Sequence, residues 1–331
     1  MHTGLTPCAS FSERLNEERD LPTLGGAQTY RSEKEVSALV DLSTFIVTVF
    51  CLIDDRITEL GRLRERGPAP TLFDSEVLTI EIVGEFLGLD EDTELFGYFR
   101  RHYAHFFPNL RRVHRTTFTR QAANLWKAKE LLWRELLTCV PHDPTFAICD
   151  SMPLPACSFA RAHRCKRFKG DAAFGKDTLL KQTFYGFRVH VRVCWPGVIS
   201  RISVAPANAH ELSVLPELAE GTSGLLIGDR NYHSPKTSQE LAGMGVELLA
   251  PYSSKKRDPT PKKSAFLSRL RYRIDTVFSQ LTERYCVKKV WARDLWHLAS
   301  RVLRKVLSHT VAFLLNHQMG NPPLQLSKLL I

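Results

Sequence analysis

The chain has 331 residues, 44% hydrophobic and 24% charged, ordinary globular proportions that exclude a disordered chain. Its 45 lysines and arginines outnumber 35 acids, a net charge of +10 that points to a polyanionic partner and says nothing of fold. The eight cysteines are scattered without a C-x-x-C pair, which argues against a zinc ribbon, and the longest apolar run, 43–53, is too short to span a bilayer.

The first thirty residues are polar and rich in turn formers, with no positive-then-apolar leader, so a flexible tail over 1–33 and a cytoplasmic protein are expected. Helical spacing begins at 34 with Val36, Leu39, Val40, Val47 and Phe50 and continues to Leu60. After the Gly67-Pro68-Ala69-Pro70 break, Asp74 or Ser75 caps a second helix carrying Val77, Leu78, Ile82 and Phe86. A third, aromatic helix spans 93–107 and a fourth 118–137. Between them lies Arg111-Arg112-Val113-His114-Arg115-Thr116-Thr117, a basic turn entering a helix that opens on threonines. Hydroxyls and cations at a helix N-terminus suit phosphate. The helical domain over 34–140 is therefore read as helix-turn-helix-like, with Arg115 a DNA contact, against the alternative of a plain bundle with a solvated turn.

After Pro141 the period changes. Strands are expected at 145–149, at Phe187, Val189, Val191 and Val193, whose Arg188, His190 and Arg192 neighbours face out, and at 198–205 beyond a Pro196-Gly197 turn. A helix over 211–219, an apolar strand at 224–228, a helix at 236–242, a strand at 246–250, and long helices over 264–285 and 294–317 follow. That order predicts an α/β fold for 141–318, an RNase H-like mixed sheet flanked by helices, with a short tail over 319–331.

Two acids close apolar runs: Asp150 follows Ala-Ile-Cys, and Asp229 follows Leu-Leu-Ile-Gly. Such acids place carboxylates at one edge of a sheet, where open α/β sheets keep their sites. Asp275 stands on the helix after them. Three carboxylates from separate elements suit Mg²⁺, a hard ion held by a few carboxylates, phosphate and water. His210 and Glu211 open a helix, where an acid in the first turn is favourable on its own account. Arg230 and Asn231 either orient a phosphate or cap the next helix.

The blocks Cys149-Asp150-Ser151-Met152-Pro153, Tyr185-Gly186-Phe187-Arg188-Val189-His190, Ala207-Asn208-Ala209-His210-Glu211, Gly228-Asp229-Arg230-Asn231-Tyr232 and Ile274-Asp275-Thr276-Val277-Phe278 resemble, in order, those of bacterial insertion-sequence DDE transposases of the nine-eight-two group. The resemblance implies an RNase H-like catalytic core that cuts element ends and joins them to target DNA. It implies Asp150, Asp229 and Asp275 as catalytic metal ligands for two Mg²⁺, with Mn²⁺ able to substitute. The third ligand of that group is a glutamate; Asp275 is one methylene shorter, which motivates the alternative of a transposase-derived DNA-binding protein with weakened or lost chemistry. A stand-alone nuclease on the same core is a third reading. Glu283, two turns further on, is out of the family's register.

Basic residues gather around these acids. Lys166, Arg167, Lys169 and Arg188 lie in one run, without regular periodicity before Phe184, and Lys255, Lys256, Arg257, Lys262, Lys263 and Arg271 in another. Phosphate neutralisation supplies most non-specific DNA affinity, so these are expected DNA contacts. The partners implied are double-stranded DNA, as terminal inverted repeats and target, and a second copy of the chain in a homodimer at the nucleoid, with no membrane.

Overall fold

The computed structural model describes residues 41–61, 69–177 and 180–330, apart from the Lys255 side chain. The tail expected over 1–33, the start of the first helix and the Gly67-Pro68 break lie outside the described residues. Five helices come first: α1 (Leu42–Leu60), α2 (Asp74–Phe86), α3 (Asp92–His102), α4 (Arg115–Asn124) and α5 (Trp126–Cys139). Asp41 caps α1 by accepting from the Ser43 and Thr44 amides at 2.9 and 3.2 Å. The helix expected over 118–137 is two helices. Leu125 serves as the last cap of one and the first of the next, with ψ of 12°.

The second half comprises β1 (Asp143–Pro155), β2 (Ala173–Asp177), β3 (Gln182–Trp195), β4 (Val198–Pro206), α6 (Glu211–Ala219), β5 (Gly224–Ile227), α7 (Pro235–Ala242), β6 (Val246–Leu249), α8 (Pro261–Leu270), α9 (Tyr272–Glu283) and α10 (Leu295–Gln318). The sheet order is β2-β3-β1-β5-β6, with β4 on β3; β1, β3 and β4 are antiparallel neighbours, and β5 and β6 run parallel to β1. This is the mixed α/β sheet expected of an RNase H-like core, preceded by helices.

Three expectations change. The stretch read as an irregular loop before Phe184 holds β2, paired from Ala173↔Gly186 to Asp177↔Gln182. The long helix expected over 264–285 is broken at Arg271 into α8 and α9. And β3 is covered on both faces, with His190 and Arg192 buried alongside Val189, Val191 and Val193. Arg192 tolerates burial because its guanidinium donates to the Leu218 and Glu220 carbonyls at 2.7 and 3.0 Å, free acceptors at the end of α6.

The C-terminal helix α10 packs mainly on α5 and α2, with a smaller contact to β4 of the sheet. A buried ionic cluster joins these helices. Lys129 pairs with Glu81 at 2.7 Å, Arg304 with Glu85 at 2.5 Å and with Asp92 at 2.9 Å, and Lys305 with Glu85 at 2.8 Å. Arg304 and Arg301 outweigh burial and hold Asp92 down at about 2. No helix among the described residues is long and apolar enough to cross a membrane.

Candidate active site

The parallel pairing of β1 with β5 runs through Phe146↔Leu225, Ala147↔Leu226 and Ile148↔Ile227. Asp150 and Asp229 each follow the last of these pairs by two residues. Asp150 is still on β1, whereas Asp229 lies just past the end of β5, so both acids stand beyond the last β1–β5 pair. Asp150 does not end its strand, as expected, because β1 continues against β3 to Pro155; what ends there is the pairing with β5. Beyond Asp229 the chain turns through Arg230–Tyr232, with the carboxylate accepting from the Asn231 amide at 2.8 Å and from its Nδ2 at 3.1 Å. Gly228 permits this turn, since a Cβ there would stand 2.6 Å from the Tyr232 side chain.

Burial dominates the electrostatics of the pair. It raises Asp150 to about 6 despite Arg271, with the charges of Asp229 and Glu211 adding to the rise. Asp229 is likewise raised, by burial first and then by Glu211. Arg271, in the break between α8 and α9, donates from Nη2 to Asp150 Oδ2 at 2.5 Å. Burial disfavours its charge, but Asp150 and Asp229 outweigh that and raise it. Among the described residues no three His, Cys, Asp or Glu side chains stand as a ready-made metal centre. The donor set nevertheless fits a hard divalent cation: two half-buried carboxylates just beyond the last β1–β5 pair, with the Arg271 guanidinium already drawn to one of them.

Asp275 is exposed on α9 and lines a cleft of about 570 Å³ with Ser151, Met152, Pro153, Arg188, Ser279 and Glu283. Its helix faces the sheet as its spacing predicts, with Ile274, Val277 and Leu281 buried, though Phe278 is only half-buried. Asp275 thus shares a cleft with Ser151, the neighbour of Asp150, while neither Asp150 nor Asp229 lines it. Its charge acts on Arg271, and it is not among the principal charges acting on Asp150 or Asp229.

Arg188 reaches the site, donating to Ser151 Oγ at 3.1 Å and to the Lys176 carbonyl at 2.5 Å. Arg230 donates to the Tyr252 carbonyl, and the next helix, α7, is capped by Ser234 rather than by Arg230 or Asn231. Lys256, Arg257, Lys262 and Lys263 are exposed on the segment leading into Arg271. Lys166 and Arg167 line a separate cavity of about 780 Å³ with Arg161, Arg164, Cys165 and Trp291, and Lys169 is exposed nearby in sequence. Arg115 lies apart from all of these in a groove with Thr116, Arg120, Asn124, Arg293 and Trp296.

Two residues at the site carry no role in the sequence reading. Glu211 accepts from Ser151 Oγ at 2.6 Å and lies 3.9 Å from Arg188. His190, opposite Ser151 in the β1–β3 register, is fully buried, and burial lowers it to about 4. The signal for Glu211 is the Asn208-Ala209-His210-Glu211 block itself, masked because an acid suits any helix start.

Residues 142–294 match the family model described as a transposase DDE domain. The transposase for insertion sequence element IS1106 of Neisseria meningitidis serogroup B is 27% identical over 106 residues, which is 30% of this chain and 37% of that protein. The match therefore spans little more than a third of that relative's length. No solved structure matches the chain.

Proposed function

We propose that this chain, in which residues 142–294 match a transposase DDE domain, cuts the ends of an insertion element and joins them to target DNA. The observation that carries this reading is that Asp150 and Asp229 each stand two residues beyond the last β1–β5 pair, close enough for the charge of one to act on the other. DDE domains use divalent metal, and with two Mg²⁺ bound the site would supply positive charge at both the attacking and leaving oxygens of an in-line displacement. Asp150 and Asp229 would hold the cations, with Asp275 the third acid by family register. Water attacks the phosphodiester at the element's end, breaking the bond to the 3′ oxygen, which leaves as a hydroxyl. That hydroxyl then attacks a target phosphodiester, and one bond forms for each that breaks. Arg271 and Arg188 are placed to neutralise a phosphate drawn to the acids.

The test is incubation with DNA from the flanks of the chain's own gene, Mg²⁺ and a target plasmid. The expected result is element ends joined to the plasmid; cuts without end preference or joining support a stand-alone nuclease. The reading as a DNA binder with lost chemistry rests on Asp275 being a methylene short. It is favoured if the parent joins nothing and Asp275→Glu creates joining.

Affinity is assigned to the exposed basic segments. Neutralising Lys255, Lys256, Arg257, Lys262 and Lys263 together is expected to weaken DNA binding and flatten its salt dependence, by about 0.9 in log–log slope for each phosphate no longer neutralised. An unchanged slope in a filter-binding titration removes these residues from the DNA surface. Homodimer formation on paired inverted repeats belongs to the same proposal.

A further inference from the structure

We infer that Glu211 supplies a third carboxylate to the cation site formed by Asp150 and Asp229, approaching it from the first turn of α6. The inference rests on the proposed metal chemistry and goes beyond it, since Glu211 is not among the three acids, Asp150, Asp229 and Asp275, that the family register assigns.

The geometry starts at Ser151, the residue after Asp150. Its hydroxyl donates to Glu211 Oε1 at 2.6 Å, so the Glu211 carboxylate is tied to the backbone position next to Asp150. Arg188 stands 3.9 Å from the same oxygen. Glu211 is the first residue of α6, with His210 as N-cap, so the helix start holds the side chain near its anion-favouring end. Electrostatics agree with the placement. Glu211 is the charge that most raises Asp229, and it also acts on Asp150, whereas Asp275 is among the principal influences on neither.

Independent support comes from buried polar groups with nothing to bond. Neither ring nitrogen of His190 has a hydrogen-bond partner among the described residues, although the side chain is fully buried and within the field of Glu211. The Tyr232 hydroxyl is also buried and unpartnered, within the field of Glu211, Asp150 and Asp229. Buried polar groups in folded proteins are nearly always satisfied. A carboxylate that turns to share a cation with the aspartates, and whose orientation is set by neighbouring donors, accounts for such groups behind it. Ser151 and Arg271 hold the acids in the present arrangement, and a cation takes over their charge balance.

The experiment is Mn²⁺ binding to the full chain, followed by the loss of free-ion electron paramagnetic resonance signal. Glu211→Gln, which keeps the oxygen that Ser151 bonds, is expected to weaken Mn²⁺ binding by about tenfold or more. Glu211→Asp is expected to fall between Glu211→Gln and the parent. Circular dichroism melting of each variant without metal identifies any that fails to fold, and Glu211→Asp then carries the comparison. Parental affinity in Glu211→Gln overturns the assignment. Failure of the underlying reading looks different: Asp150→Asn and Asp229→Asn would then bind Mn²⁺ as the parent does, or the parent would not bind it.

Discussion

Asp150→Ala and Asp229→Ala are each expected to reduce DNA strand cleavage by about a thousandfold or more, equivalent to roughly 4 kcal/mol of lost transition-state stabilisation. Binding to DNA should change little. The two acids sit together at the end of the β1–β5 pairing, while the basic segment before Arg271 and the Arg115 groove are separate surfaces. Removing Asp150 frees Arg271 and removing Asp229 takes away a negative charge that acts on it, so affinity for phosphate has no reason to fall. Gel-shift and cleavage assays on the same DNA make the comparison. Cleavage within tenfold of the parent in either variant takes that residue out of the site.

Glu85→Gln should be the most destabilising isosteric change in the helical half, by about 3–5 kcal/mol, because it leaves two buried cations short of an anion. Glu85 receives Arg304 at 2.5 Å and Lys305 at 2.8 Å, and all three side chains are almost wholly excluded from solvent. Asp92 balances Arg304 in part, but Lys305 has only Glu85 as an ion-pair partner among the described residues. Urea unfolding of the variant and parent measures the difference. A loss under about 1 kcal/mol would mean that water enters the cluster or that Lys305 gives up its proton. Because α10 carries both cations, the change should loosen that helix from α2 first.

Strand register was legible where apolar runs stop at an acid. Ala147-Ile148-Cys149 before Asp150 and Leu225-Leu226-Ile227-Gly228 before Asp229 are each short, buried and punctuated, and the structure sets them in matching register. The break at Arg271 was not legible, since arginine is a good helix former and nothing local stops the pattern. Leu125 hid the α4–α5 break for the same reason. β2 escaped because an edge strand with one exposed side and interleaved glycine carries little periodic signal. The burial of His190 and Arg192 depends on α6 covering the second face of β3, and strand alternation alone predicts those side chains outside. Glu211 shows the same limit at the site: its identity was plain, but its nearness to Ser151 is a product of the chain's return over the sheet.

The pairing of Asp150 with Asp229 as a divalent-cation site that cuts DNA is tested most directly by following cleavage of the chain's own flanking DNA against Mg²⁺ concentration, and by identifying the ends produced. The account predicts no cleavage in chelator, saturable activation by Mg²⁺ or Mn²⁺, and 3′-hydroxyl ends with no protein attached. Cleavage that persists in chelator, or DNA left covalently joined to the protein, would contradict it.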